Sequence, residues 1–600
     1  MARAKLRKRK DIPDCYKWNM QDMFATDELW EEEAELSLKL ADELAKYKGM
    51  LSASAKNLLE YFVKADKLEY YLQRVNVYAH QRYHEDTAVS KYQAYSTKAD
   101  SIVVAASSAV SFVKPEILAM DEAVLEQFYK EEPQLENYKR AIDEILREKA
   151  HVRNSEVEEV LAQAGDITVA PYNIFSIFDN ADIRFPCVTD LEGNRIRITH
   201  GNFVSFLQDK DRNLRKQVFQ KLYKTYQERG NTVAAIFNSQ LKQEYFKAKV
   251  RNYSSVRAMH LAAGNIPESV YDNLIETVHK HLPTFHKYMA IRKKMLGVGR
   301  LHMYDIYAPL VRDMDKSYSY EEAKELVKTA LAPMGEDYVK IASEGMDNGW
   351  VDVFENENKR SGAYSWGAYG THPYVLLNHQ DTLNSVFTLA HEMGHAMHTY
   401  YSNKTQPITY ANYLIFVAEV ASTCNESLLM NYLFEHTQDE KERKYLINHY
   451  LEEFRGTVFR QTMFAEFEMI VHKKMANGES LTKEELCKIY HDLNVLYYGP
   501  DVVVDEDIDY EWMRIPHFYT SFYVYQYATG FSAAVAFSKK ILEEGQPAVE
   551  RYINKFLCGG GSKDPIDLLK DAGVDMSSPA PIDEALKVFE QYVEALELCQ

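Results

Sequence analysis

The chain has 600 residues, 46% of them hydrophobic, and 70 Lys and Arg against 89 Asp and Glu give a formal charge of −19. That length can bury a large core and is expected to split into more than one domain. The acidic balance argues against nucleic acid as a partner, because phosphates require a basic footprint. Six scattered cysteines (Cys15, Cys187, Cys424, Cys487, Cys558 and Cys599) show no zinc-knuckle or redox spacing and read as free thiols of a reducing, cytoplasmic compartment.

In chain order, residues 2–10 are strongly basic with no apolar stretch behind them. They read as part of a basic, flexible tail over 1–14, not as a secretory signal. Residues 15–200 read as an N-terminal helical lobe, with amphipathic helices such as 29–47 and 56–82 punctuated by Pro115 and Pro133. The uncharged run 101–113 is too short to cross a bilayer core of about 30 Å, so no membrane anchor is expected. A hairpin is expected from Ile183-Arg184-Phe185 and Arg195-Ile196-Arg197-Ile198, joined through Leu191-Glu192-Gly193-Asn194.

Residues 201–600 read as a second, larger domain. Its helices start from Asn202, with joints at Pro267 and Pro283, and its strand-bearing part lies near 304–380. There Gly362, Gly367 and Gly370 permit close backbone approach or positive φ. Tyr374-Val375-Leu376-Leu377 is strand-like, and Pro373 at its start suits an edge strand that could pair with an extended peptide. Gly367 and Tyr374 are therefore candidate substrate contacts.

The pattern His391-Glu392-Met393-Gly394-His395 falls in an apolar helix expected over 382–399, with Asp381 as its N-cap. Residues four apart share a helix face, so both imidazoles can grip one Zn²⁺ while Glu392 accepts a proton from a water on the metal. Gly394 between them suggests that another backbone packs close. His398 reads as a neighbour of the site or a solvent-facing histidine, and not as a ligand. A second helix over 412–426 carries Glu419 among Phe416, Val417, Val420 and Ala421, where an ionised carboxylate needs a cation. Glu419 is thus the third ligand candidate, and Glu426, two turns further along the same face, can orient a ligand imidazole. The uncharged run 518–538 reads as a buried polar-aromatic wall in which His517 and its tyrosines are candidate oxyanion donors.

These residues make the chain resemble the thimet-oligopeptidase-like zinc metallopeptidases, and among them the oligoendopeptidase F type. The likeness rests on His391, Glu392 and His395, on Glu419 within Phe416-Val417-Ala418-Glu419-Val420-Ala421-Ser422, and on Ser361 to Gly370. It extends to Pro373-Tyr374-Val375-Leu376-Leu377-Asn378, to Pro516-His517-Phe518-Tyr519 with Tyr525 to Gly530, and to the opening Tyr16-Lys17-Trp18-Asn19. The resemblance implies a mainly α, two-lobed zincin-type fold with a deep central cavity and a small β-sheet beside the zinc helix. It implies one Zn²⁺ per chain and hydrolysis of internal bonds in short, unstructured peptides. It also assigns the oxyanion role to His517 and Tyr527, with Tyr523 and Tyr525 lining the same wall as substrate contacts. No membrane partner is expected, and the chain is expected to act as a monomer or homodimer. The alternatives are a zinc exopeptidase, which cleavage of end-blocked peptides would exclude, and a peptide-binding protein without turnover, which has no use for Glu392.

Overall fold

The long amphipathic runs fold as helices close to where their periodicity puts them. The computed structural model describes residues 6–311 and 316–599; the first five residues of the expected tail lie outside the described residues. Helices span Asp27–Ala45 and Ala55–Glu85, and the Ser54 side chain caps the second by accepting from the Asn57 N–H. A third helix, Ser90–Ala109, packs on both. By length and composition the run Ser90–Ala119 could cross a membrane: its best window has a mean hydropathy of 1.6, and 22% of that window is buried. The judgement that 101–113 is too short therefore applies to that run taken alone.

Contacts divide the chain into two compact units, each assembled from three stretches. One comprises Met1–Ala150, Asp315–Tyr432 and Phe537–Val574; the other comprises His151–Met314, Leu433–Ala536 and Asp575–Gln600. This differs from the chain-order division expected near residue 200. Both units are helical with small sheets, as a mainly α protein requires.

In the first unit, one core cluster joins Trp18, Trp30 and Val75 to Tyr374 and Leu376. Trp18 Nε1 donates to the Val375 carbonyl at 2.8 Å, fixing the start of the chain to a three-stranded sheet. Strand Tyr374–Leu376 is the middle strand of that sheet, pairing parallel with Val351–Asp352 and antiparallel with Tyr364–Trp366. The edge position expected for residues 374–377 therefore belongs to Tyr364–Trp366. All three residues of the middle strand are buried, which is the environment of a strand paired on both sides.

The tail reading also fails from Arg9 onward. Arg9 places Nη1 2.8 Å from Asp352 Oδ1 and Nη2 2.9 Å from Glu85 Oε1. Asp352 also pairs with Lys359 at 2.7 Å. Two carboxylates withdrawn from water need cations, and Arg9 supplies one to both.

In the second unit the hairpin forms, with its first strand four residues later than expected. Cys187–Thr189 pairs antiparallel with Arg195–Arg197, while Ile183 and Phe185 go into the core. The Asp190 carboxylate shapes the turn by accepting from the Glu192 and Asn194 N–H groups. Pro283 marks no joint. Helix Glu268–Met295 runs through it, with Leu282 and Phe285 buried on either side; that packing offsets the missing N–H.

Glu511 anchors this unit's interior. Burial alone would raise its pKa. Arg460, bound at 2.9 and 3.1 Å, Arg514 at 3.2 Å and the Tyr490 hydroxyl at 2.6 Å outweigh burial and hold it at about 2. A carboxylate with a depressed folded-state pKa stabilises the fold fully above its unfolded value near 4.5, and the contribution is lost as pH falls toward 2. Glu511→Gln should therefore lower Tm at pH 7, and its deficit against the parent should shrink between about pH 4.5 and 2. Thermal melts across that range check this.

Candidate metal centre and active site

The His helix spans Leu383–Thr405 and the Glu helix Ile415–His436. The N-cap of the His helix is Thr382, whose hydroxyl accepts from the Ser385 N–H. Asp381, the residue expected there, sits just outside in a left-handed conformation (φ 54°), with its carbonyl taken by the Tyr318 N–H.

Gly394 is where the two helices meet. A Cβ on it would lie 2.5 Å from Ser422 Cα and 2.6 Å from the Ala421 carbonyl oxygen, so only glycine lets the backbones approach this closely. The Asn425 side chain adds a tie by donating to the Ala390 carbonyl at 3.2 Å and accepting from the Tyr338 hydroxyl at 3.1 Å. Gly394→Ala should force the helices apart at a cost of about 1–3 kcal/mol. Both Tm and metal affinity should fall, and calorimetry with a zinc titration measures the pair.

This crossing brings the two imidazoles onto one carboxylate. His391 Nε2 and His395 Nε2 each lie 3.3 Å from Glu419 Oε2, and the three donor atoms are all within 4.8 Å of one another. Tetrahedral zinc with bonds of about 2.0–2.2 Å sets its ligand atoms about 3.3–3.5 Å apart. The donor set and its spacing therefore fit zinc. Among the described residues, no other group of three or more His, Cys, Asp or Glu meets this condition.

The surrounding charges are arranged for a cation. Burial alone would lower the His391 pKa, but Glu419 and Glu426 raise it well above the ordinary histidine value. Glu419 is held far below the usual carboxylate range by both imidazoles, against the effect of burial. Behind the pair, Glu426 Oε2 lies 3.1 Å from His391 Nδ1, which fixes the ring's orientation and leaves Nε2 facing Glu419. The Ser422 hydroxyl donates to Glu419 Oε2 at 3.2 Å. Sequence reasoning missed Ser422 and Asn425; their positions three and six residues after Glu419, on one helix, were the available signal.

Glu392 is buried at 6% exposure, and its Oε2 has no hydrogen-bond partner. Burial raises its pKa, opposed by the two imidazoles. A carboxylate in that state accepts a proton more readily than one in water. His398 is buried against Tyr413, with ring centroids 3.7 Å apart and planes 5° from parallel, and is packed as a core residue. Gly367 allows a tight turn, since a Cβ there would sit 3.1 Å from Pro373 Cα. Tyr374 is fully buried against Trp18 and His372, so its expected substrate contact is not available to it.

The aromatic wall belongs to the second unit. His517 stands on the short 3-10 turn Pro516–Tyr519, and Tyr527 on the first turn of helix Tyr525–Glu544. The Tyr527 hydroxyl lies 3.5 Å from His517 Nε2, and the Tyr523 ring packs against both. Burial lowers the His517 pKa from its ordinary value. Tyr525 faces away into the core at 3% exposure, packed on Tyr271, so it does not line this surface with the other two tyrosines.

Known proteins resemble this chain along nearly its whole length. The family model described as "Peptidase family M3" matches residues 205–588, and one described as "Oligopeptidase F" matches 116–185. The chain is 50% identical to oligopeptidase PepF of Bacillus subtilis over 97% of its own length and 86% of that protein's. It is 42% identical to the group B oligopeptidase PepB of Streptococcus agalactiae, over 98% of each. The crystal structure of oligoendopeptidase-F from Enterococcus faecium superposes with a TM-score of 0.74 at 40% identity, covering 96% of this chain and 98% of that one. A family match over more than half the chain, with relatives of this identity along nearly its whole length, places it: the chain belongs to peptidase family M3.

Proposed function

We propose that the protein is a zinc-dependent endopeptidase that hydrolyses internal bonds of short, unstructured peptides in the cytoplasm. The observation that carries this reading is the spacing of His391 Nε2, His395 Nε2 and Glu419 Oε2. These three would hold one Zn²⁺, with Glu426 orienting His391 through Nδ1. A bound zinc would polarise the scissile carbonyl and lower the pKa of water at the site.

The chain's own groups then divide the remaining work. Glu392 Oε2, buried and without a partner, takes the proton of the attacking water and returns it to the leaving amine. The family resemblance assigns to His517 Nε2 and the Tyr527 hydroxyl the donation to the oxygen of the carbonyl under attack, where negative charge develops. The edge strand Tyr364–Trp366, which packs beside the His helix, is the strand of this sheet placed to pair with an extended substrate. Both ligand imidazoles must be neutral to bind metal, so acid should release it.

The test is mass spectrometry of fragments from a library of short end-blocked peptides, with and without a chelator. Internal cleavage that stops with chelator and returns with zinc is the expected result. Cleavage only of peptides with free ends would replace the endopeptidase reading with an exopeptidase one. Binding without cleavage at saturating zinc would reduce the protein to a peptide binder.

A further inference from the structure

The turn between His517 and Tyr527 contains a backbone conformation that its sequence does not favour. Phe522 has φ 56°, the left-handed region that a bulky side chain rarely adopts. The ring itself is only 3% exposed and is packed among Tyr271, His472 and His260. Something must hold the chain there, and the Phe522 N–H points at it: Glu468 Oε1 accepts that N–H at 2.9 Å, from the middle of helix Arg460–Ala476.

Glu468 is an unusual group to find in that place. It is 1% exposed, and its second oxygen has no hydrogen-bond partner. Burial pushes its pKa up to about 8, against the hydrogen bond from the Phe522 N–H. A carboxyl buried without a counter-charge is costly, and a Met of similar size would avoid the cost. What Glu468 provides that Met cannot is an acceptor aimed at one backbone N–H. That N–H lies midway between the two residues whose approach forms the aromatic wall. On one side, the Thr520 N–H closes onto the His517 carbonyl at 2.8 Å. On the other, the Gln526 and Tyr527 N–H groups close onto the carbonyls of Tyr523 and Val524. Each flank is thus locally fixed, and the strained residue between them sets their relative direction.

We propose that Glu468 is a positioning residue: by accepting the Phe522 N–H it holds the turn that keeps His517 Nε2 beside the Tyr527 hydroxyl. The inference rests on the reading of His517 and Tyr527 as donors to the substrate carbonyl. Because the group acts as an acceptor through Oε1 and not through its charge, a glutamine amide oxygen can do the same work.

The experiment measures kcat and KM on an end-blocked peptide with zinc saturating, for Glu468→Met, Glu468→Asp and Glu468→Gln. Hydrogen exchange over the 518–527 segment is followed in parallel. Glu468→Met removes the acceptor; Glu468→Asp withdraws it by one methylene and serves should the first variant fail to fold. Both should lower kcat about tenfold or more with KM within about twofold, and should speed exchange across the turn. Glu468→Gln should restore most of kcat and the slow exchange. Parent-like kcat in Glu468→Asp or Glu468→Met would overturn the proposal. So would a Glu468→Gln variant as slow as the other two, because the group would then matter by its charge and not as an acceptor. Tyr527→Phe run alongside separates the two levels. If it leaves kcat unchanged, the donor reading itself fails; if it lowers kcat while Glu468→Met does not, only this inference falls.

Discussion

Glu392→Gln should lower kcat/KM by about 10³-fold or more while zinc stays stoichiometric. Glutamine keeps the shape of the side chain and its hydrogen-bonding capacity but cannot take a proton. Glu392 is not one of the three converging donors, so its replacement leaves His391, His395 and Glu419 in place. Its burial and partnerless oxygen mean that what the substitution removes is proton acceptance and not an ion pair. Rate measurements on an end-blocked peptide with metal analysis of the same preparation test both halves. Parent-like turnover would remove Glu392 as the base, and loss of zinc together with turnover would make its role structural.

Glu419→Ala should act at the other end of the mechanism, on the metal itself. It leaves two imidazoles on one helix face and removes the carboxylate that both of them contact. A site with two of its three protein ligands should lose affinity by more than about 100-fold, since disturbing even the groups behind the ligands costs 10–100-fold. After dialysis the variant should hold well under one zinc per chain, and activity should return only at a large excess of the ion. The loss of the bridge should also let the His391 pKa fall from its raised position, because Glu419 leads the interactions that lift it. Stoichiometric zinc after dialysis would rule Glu419 out as a ligand.

The parts of the site that were legible in the sequence are those fixed by local spacing. The i, i+4 histidines, the acidic residue inside an apolar helix, and the glycine between the ligands each signal their environment over a few residues. The structure brings His391, His395 and Glu419 together and presses the Glu helix against Gly394. Contacts set by distant partners were not legible. Tyr374 looked like an edge-strand residue because Pro373 precedes it, but Val351–Asp352 pairs on one side of its strand and Tyr364–Trp366 on the other. Nothing in the basic run around Arg9 announces that its partners are Glu85 and Asp352. The wall of tyrosines was legible as a wall but not in its directions. Tyr523 and Tyr527 meet His517, whereas Tyr525, between them in sequence, turns to Tyr271. The strain at Phe522 and its acceptor Glu468, 54 residues earlier, had no signal in the pattern at all.

Anomalous diffraction at the zinc edge, on crystals of the protein grown with zinc, tests the central claim most directly. One peak is expected, about 2.0–2.2 Å from His391 Nε2, His395 Nε2 and a Glu419 oxygen. A peak bound by other residues, or none in an enzyme that still cleaves peptides, would contradict it.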